Sequence, residues 1–377
     1  MNSDKIRVVH TVLNLGFAGL ERVVTELSLN ADRNLFDVEV CCFHRKGYFA
    51  DILEKAGIAV TILPQKQTGV DYGYVWKLSR FFRQRAAQVV HAHTGTFIFS
   101  ALAGKLARVP AIVYTDHGRF LVEPKVRLVE DYISARLADR SVAVSAELFR
   151  YMIDRVKFPA AKMTTIVNGV NTETFAPRPR PPKLLNEFGL SAETRILGCV
   201  ASFIPVKDHL TMLKALTRVT AQLPGTVLFL VGDGPLRRAI EESIVTDGLA
   251  GRVVLTGKRQ DVPDLLNLFD LFLLSSLSEG TSMSIAEAMA SGVPIVATDV
   301  GGNRSIVDHG LNGLLVRPGR PEEMAEAILA LLRNDERRSS FAREAVEKIK
   351  REYSAQVMAS RYADLYLDIL RRKGQNL

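Results

Sequence analysis

Short β-branched runs alternate with helix-patterned segments along most of this chain, and that alternation constrains the fold more than any other feature. KIRVVHTV, FDVEVCCF, IAVTILP, VVHAH and AIVYTDHG read as strands. Between them, GLERVVTELSLNAD, YFADILEKAG, VWKLSRFFRQRA and IFSALAGKLARV carry the apolar spacing of amphipathic helices. Strands and helices in turn, joined by short connections, predict a parallel, doubly wound sheet. The pattern breaks at APRPRPPK (Ala176 to Lys183), where four prolines rule out a helix or a central strand and indicate a linker. It then restarts. RILGCVASF, VLFLVG, RVVLTG, LFLLSS and PIVATDV are strand-like, with HLTMLKALTRVTAQL, PLRRAIEESIVTDG, VPDLLNLF and MAEAILALLRN as helices and VMASRYADLYLDILRRK as a last one. At roughly 100–200 residues per domain, 377 residues agree with two such halves. The expected domains are 1–175 and 183–356, each α/β and Rossmann-like, facing one another across a cleft at the carboxyl ends of both sheets.

Bulk properties exclude several classes. Hydrophobic content of 47% with 24% charged residues is that of a packed protein. No apolar run reaches the ~18–20 residues of a membrane-spanning helix, and the start of the chain lacks the pattern of a signal peptide. Cys41, Cys42 and Cys199 form neither a disulfide framework nor a metal-ligand spacing, so a cytoplasmic location is expected. The net charge of +8 lies wholly in residues 1–180, which hold 25 Lys and Arg against 17 Asp and Glu, while the remainder is balanced. A basic half attracts anionic lipid, nucleic acid or a phosphorylated substrate, and charge alone does not choose among them.

The segment LSEGTSMSIAEAMASG carries the chemistry. Glu279 follows a strand's carboxyl end, the amides from Gly280 to Met283 approach a helix N-terminus, and Glu287 falls inside that helix. Two readings are open. Ser284 and Glu287 fit an S-x-x-E capping box, or both carboxylates accept hydrogen bonds from vicinal hydroxyls of one ligand. LVGDGPLR has Arg237 where a dinucleotide fingerprint needs its third glycine, and a proline intervenes, so a dinucleotide dehydrogenase is rejected. The strand VVHAH puts His91 and His93 on one face and His117 ends another strand, but no further ligand cluster is evident and no metal site is expected. VWKLSRFFRQRAA reads either as a basic aromatic helix resting on an anionic membrane or as a sheet-covering helix with Val75, Leu78 and Phe82 inward.

The run SLSEGTSMSIAEAMASGVPIVATDVGG closely resembles the E-x7-E signature of the retaining nucleotide-sugar glycosyltransferases of family four, which adopt the GT-B fold. GFAGLERVV, VVHAH, TDHG, VNGVNTETFAP, LVGDGP and LTGKRQDV follow the family's order over essentially the whole chain. The resemblance implies that Glu287 binds ribose hydroxyls and that Glu279 holds a donor-sugar hydroxyl close to the reacting carbon. It implies that Gly280, Thr281, Ser282, Met283 and Ser284 line the sugar and diphosphate, and that Lys207 neutralises the diphosphate. Gly16 and Gly19 then let the first loop approach that diphosphate. The backbone near Lys258 and Arg259 edges the base, Gly232 and Gly234 shape a neighbouring loop, and His117 sits near the donor sugar. One position departs from the pattern: where the family reads G-R-L-x-x-x-K, this chain reads Ala201-Ser202-Phe203 through Lys207, so Ser202 stands in place of an arginine.

The resemblance implies a retaining transferase, with the donor on the second domain and the acceptor on the first, and no metal is expected. The final helix, about 357–377, is expected to pack back on the first domain. Charge develops on the departing phosphate, and cations and helix-end amides stabilise it. Metal-dependent transferases hold their ion with a D-x-D pair, and none occurs in this sequence, the nearest being Asp37-Val38-Glu39. The expected partners are a nucleotide sugar, a saccharide or lipid-phosphate-linked acceptor and an anionic membrane surface, with no nucleic acid. The expected setting is bacterial-type polysaccharide or glycolipid assembly at the inner face of the plasma membrane. A nucleotide-sugar epimerase or hydrolase, and a non-catalytic nucleotide-sugar-binding protein, are the alternatives.

Overall fold

The computed structural model describes residues 5–16, 18–66, 71, 73–118, 125–280 and 282–375. The chain forms two compact units, one of Met1–Gly169 with Ala355–Leu377 and one of Val170–Ser354.

Among the described residues, the first unit contains a seven-stranded parallel sheet. Its strands are β1 (Ile6–Asn14), β2 (Phe36–Arg45), β3 (Ala59–Ile62), β4 (Val89–His93), β5 (Ala111–Asp116), β6 (Arg140–Ala143) and β7 (Met163–Thr165), in the spatial order β3-β2-β1-β4-β5-β6-β7. The alternation continues beyond AIVYTDHG through helices Lys125–Leu137 and Ala146–Asp154. Helices cover both faces, which is why β4 and β5 are buried at every position. In helix Tyr74–Gln84, Leu78, Phe81 and Phe82 point into the core, while Trp76, Lys77, Arg80 and Arg83 are exposed. The long C-terminal helix, Ala355–Arg372, belongs to this unit. Its Tyr366 hydroxyl lies 2.7 Å from His91 Nδ1 on β4, and its Tyr362 hydroxyl 2.9 Å from Thr115 Oγ1 on β5.

The second unit repeats the plan with β8 (Arg195–Val200), β9 (Thr226–Val231), β10 (Val253–Gly257), β11 (Leu271–Leu274), β12 (Ile295–Thr298) and β13 (Gly313–Val316), ordered β10-β9-β8-β11-β12-β13. In each sheet the strand order reverses beside the first strand, between β1 and β4 and between β8 and β11. Loops at the carboxyl ends of those strands diverge there, leaving the crevice in which doubly wound sheets bind ligands.

The proline-rich stretch is not the linker that its composition indicates, and the domain limits at 175, 183 and 356 shift accordingly. The Arg178 amide donates to Asn267 Oδ1 at 2.6 Å, Asn267 Nδ2 donates to the Ala176 carbonyl at 3.1 Å, and the Arg180 guanidinium sits 2.7 Å from Asp270. These bonds fasten the prolines to the second unit, where Pro182 opens the short helix Pro182–Glu187. The chain crosses between units at Gly169/Val170 and again at Ser354/Ala355. The two crossings are neighbours, because Val170 bridges Ser354 and its amide donates to the Tyr353 carbonyl at 2.8 Å.

Candidate functional site

In the second unit the loop after β8 and the loop after β11 meet at the switch point. The first ends in a short turn, Pro205–Lys207, followed by Asp208 at φ 45°, whose carboxylate caps helix His209–Gln222 by accepting from the Thr211 amide and hydroxyl. The second supplies Ser275, whose hydroxyl donates to the carbonyls of Lys207 and Asp208 at 2.9 and 2.8 Å, and Leu277, whose amide donates to the Val206 carbonyl. Lys207 therefore hangs from a turn whose backbone is clamped by the neighbouring strand's loop.

The Lys207 ammonium lies 2.5 Å from Glu279 Oε1, and the Ser276 hydroxyl donates to the same oxygen at 2.5 Å. Glu279 is nearly buried, with 9% of its side chain exposed against 20% for Lys207, so a salt-screened surface pair is not an adequate description. Behind it, Gly302 donates its amide to the Glu279 carbonyl, and Thr298 Oγ1 donates to the Ser276 carbonyl. Helix Met283–Ala290 follows. Its N-cap is Ser282, whose hydroxyl accepts from the Ile285 amide. The capping-box reading is thus corrected: Ser284 is the second residue of the helix and Glu287 its fifth, a buried carboxylate at 4% exposure. Gly280 is exposed, Met283 and Ser284 are half-buried, and Thr281 lies outside the described residues. Cys199 on β8 is no nucleophile, because burial pushes its thiol up to about 12.

Two glycines let the adjoining loops close up. Gly232 has φ 146°, and a Cβ there would lie 2.0 Å from the Ala201 carbonyl oxygen; one at Gly234 would lie 2.5 Å from that of Phe203. Ser202, between those two carbonyls, is exposed, and its hydroxyl makes no hydrogen bond among the described residues. Lys258 is exposed after β10. The Arg259 side chain is committed elsewhere, with its guanidinium 2.7 Å from Glu187 and 2.6 Å from Asp261. Asp261 and Glu187 raise its pKa and occupy most of its N–H donors.

The first unit gathers a different set. Gly16 follows β1 and donates its amide to Asn14 Oδ1 at 2.9 Å, while Gly19 opens helix Gly19–Leu29. His117 follows β5, with its amide bonded to Thr94 Oγ1 and its ring Nε2 2.9 Å from His93 Nδ1. His93 Nε2 in turn lies 3.1 Å from Nδ1 of His10 on β1, a histidine to which no sequence motif points. His91 and His93 share one face with ring centroids 4.1 Å apart, and ligand atoms of His10, His91 and His93 lie within 4.8 Å of one another. Both nitrogens of His91 are already taken, by Tyr366 and Thr115. Burial lowers all four histidines, His10 and His117 to about 3, so the rings are neutral. Nδ1 of His117 is buried and has no partner among the described residues.

Comparison with known proteins agrees across the chain. The family described as "Glycosyltransferase Family 4" matches residues 17–174, and that described as "Glycosyl transferases group 1" matches residues 194–334. The UDP-Gal:alpha-D-GlcNAc-diphosphoundecaprenol alpha-1,3-galactosyltransferase of Escherichia coli is 26% identical over 384 residues, covering 98% of this chain and 99% of that protein. The N-acetyl-alpha-D-glucosaminyl L-malate synthase of Bacillus anthracis is 30% identical over 234 residues, 62% of this chain and 61% of its own length. Among solved structures, a glycosyltransferase from Rickettsia africae superimposes with a TM-score of 0.85 at 18% identity, over 98% of this chain and 99% of that one. Anabaena HepE, solved with UDP, gives 0.82 at 24%, over 97% and 100%. The fold is GT-B.

Proposed function

The chain belongs to the family-four glycosyltransferases, and from that premise we propose that it moves a sugar from a nucleoside-diphosphate sugar to a saccharide or lipid-linked acceptor, retaining anomeric configuration and using no metal. The observation that carries this reading is the Lys207–Glu279 pair at the switch point of the second unit, directly before a helix N-terminus. An ammonium has three N–H donors, and Glu279 takes one. The others suit a diphosphate oxygen, and Glu279 suits a sugar hydroxyl. Glu287, one turn further into the helix, suits the ribose.

In the transfer, the bond between the anomeric carbon and the diphosphate breaks with its electron pair moving to the phosphate oxygen. The acceptor hydroxyl attacks on the same face, and its proton passes to that departing oxygen. Negative charge therefore grows on the phosphate, where Lys207 and the amides leading into helix Met283–Ala290 act. Lys207 is the one cation in the stretch Ala201 to Lys207, since Ser202 replaces the expected arginine. The absence of any D-x-D pair supports metal-free stabilisation. His117 contributes a ring nitrogen to the donor sugar.

The names of relatives support the substrate class. Structures of HepE hold UDP and UDP-glucose, and the E. coli relative is named for a diphosphoundecaprenol-linked acceptor. A lipid-linked acceptor suits the basic first unit, whose helix Tyr74–Gln84 exposes Trp76 beside Lys77, Arg80 and Arg83. We place the enzyme on the inner membrane face, in polysaccharide or glycolipid assembly. The test is incubation with UDP-, GDP-, ADP- and TDP-sugars, with and without polyprenyl-diphosphate saccharides, in EDTA. An acceptor-dependent product with the donor's anomeric configuration is expected. Sugar released or epimerised without acceptor, an inverted product, or activity abolished by EDTA would each overturn part of the reading.

A further inference from the structure

Three helices lie side by side on the first unit's sheet: Tyr74–Gln84, Phe97–Ala107 and Lys125–Leu137. Their inner sides enter the core, Phe82 with Ala103 in one cluster and Ala101 with Ala135 in another. Their outer sides carry Trp76, Leu102, Val126, Val129, Tyr132 and Ile133, half of the large hydrophobic side chains exposed among the described residues. Val126, Val129 and Ile133, spaced i, i+3, i+7, form one stripe, with Val126 69% and Val129 58% exposed. Singly scattered apolar side chains need no explanation, but a set gathered on one layer does.

The same surface is basic. Lys77, Arg80, Arg83, Lys105, Arg108 and Arg136 are exposed on these helices or at their ends, and Glu130 is the one exposed carboxylate among their described residues. None of the six cations is ion-paired among the described residues. Elsewhere the chain neutralises such groups: Arg218 faces Glu322, Arg238 faces Glu242 and Arg351 faces Glu352. Unpaired cations beside aliphatic side chains suit a partner that offers both negative charge and hydrocarbon, which is an anionic lipid bilayer. A second copy of the surface does not fit, because it would set like charges against each other. Nucleic acid does not fit either, because the aliphatic stripe gives bases nothing to stack on.

The two kinds of residue are unevenly placed. A helix that follows a parallel strand returns antiparallel to it, so all three begin at the carboxyl ends of the strands, where His117 and the sheet's crevice lie. Trp76, Val126 and Val129 fall within the first five residues of their helices, whereas Arg83, Lys105 and Arg136 are in the last turns. We propose that this three-helix layer is the membrane-docking surface of the first unit, with Val126, Val129 and Ile133 entering the headgroup–acyl boundary of an anionic bilayer and the crevice end leading. This rests on the reading that the acceptor is lipid-linked, and it brings the crevice edge to the depth at which such an acceptor carries its saccharide.

Trp76 is the chain's single tryptophan, so its emission reports on helix Tyr74–Gln84 alone. A Trp76→Phe/Val129→Trp variant moves that reporter to helix Lys125–Leu137. The full-length protein is mixed with acyl-brominated vesicles of phosphatidylglycerol and phosphatidylcholine in equal parts, and with vesicles of phosphatidylcholine alone. Both indoles are expected to shift to the blue and be quenched on the anionic vesicles only. Replacing Val126, Val129 and Ile133 together by Ser should lower partitioning about tenfold or more, since apolar burial sets its scale. Turnover of that variant on a water-soluble saccharide acceptor, without vesicles, should be unchanged. A Val129→Trp indole that stays unquenched while wild-type Trp76 is quenched confines docking to helix Tyr74–Gln84 and overturns the proposal. So does equal partitioning onto neutral vesicles, or a self-association lost in the triple-serine variant, which would make a second copy the occupant. Vesicle binding without turnover on any acceptor would instead strike the transferase reading and leave this surface standing.

Discussion

Lys207 and Glu279, 72 residues apart in sequence, share a 2.5 Å contact because two adjacent loops of one sheet close on each other through Ser275 and Leu277. The pair holds each side chain where a ligand would need it, and it also ties up both until the ligand arrives. Glu279→Ala frees the cation and removes the hydroxyl acceptor. Turnover is expected to fall by about a hundredfold or more, the usual scale for a lost transition-state contact, while nucleoside-diphosphate affinity stays the same or tightens. Lys207→Ala should weaken both. Steady-state kinetics and titration calorimetry distinguish the two, and near-normal turnover in Glu279→Ala would refute the assignment.

Four buried histidines and the half-buried His117 make the fold acid-sensitive. His10 and His117 are held at about 3 and His209 at about 4 by burial, and His91 and His93 are also lowered well below 6.5. The unfolded chain binds protons on these rings before the folded one does. Their contribution is complete above about pH 6.5 and is lost as pH falls towards 3–4, by about 1.4 kcal/mol per pH unit for each ring that must charge. Urea unfolding at pH 8, 7, 6 and 5 should show stability nearly level between 8 and 7 and then dropping steeply. A flat profile down to pH 5 would contradict the neutral cluster.

Ser202 offers a gain-of-affinity test. Its side chain is exposed and its hydroxyl makes no hydrogen bond among the described residues, so an arginine fits without breaking a side-chain contact. Ser202→Arg is expected to tighten nucleoside-diphosphate binding about fivefold at low salt, within the range of a partly screened ion pair, with the gain shrinking as salt rises. Ser202→Ala should change little. An arginine without effect would mean that the diphosphate does not lie against this loop.

The outer face of helix Tyr74–Gln84 is the expected membrane contact, with Trp76 63% exposed among Lys77, Arg80 and Arg83. Each basic residue near an anionic surface contributes about 1 kcal/mol. Replacing Arg80 and Arg83 by Ser should therefore reduce partitioning onto phosphatidylglycerol vesicles many-fold, and Trp76→Ser should reduce it further. Sedimentation with neutral and anionic vesicles reads the difference. Binding that ignores both salt and these substitutions would remove the surface from consideration.

Much of this organisation was legible in the sequence. Short β-branched runs alternating with helical patterning located β1 to β5 and β8 to β12, and strand ends next to SLSEG and to Lys207 lay where the switch point falls. Other features depend on tertiary contacts that local pattern does not encode. The stretch Ala176 to Lys183 looks unstructured by composition and is ordered by Asn267 and Asp270, far along the chain. Ser282 rather than Ser284 caps its helix because the cap is selected by backbone angle, φ −78° and ψ 99°, and both residues have the right side chain. The strand β7 has three residues, too few for a period to show. His10 sits 83 residues from His93, and only the parallel register of β1 with β4, which sets His10 beside His91, reveals the relationship.

The adjacency of the two crossings has a consequence for biosynthesis. The second unit is an insertion closed at its own base by Val170 and Tyr353, so all of its parts exist once Ser354 has been made. The first unit begins earlier but finishes later, because Tyr362 and Tyr366 reach back to Thr115 and His91 from the last helix of the chain. On the ribosome, domains generally fold as units once their residues have emerged. The inserted half can therefore be complete while the half that encloses it still lacks its last helix, and assembly runs from the inside of the sequence outward.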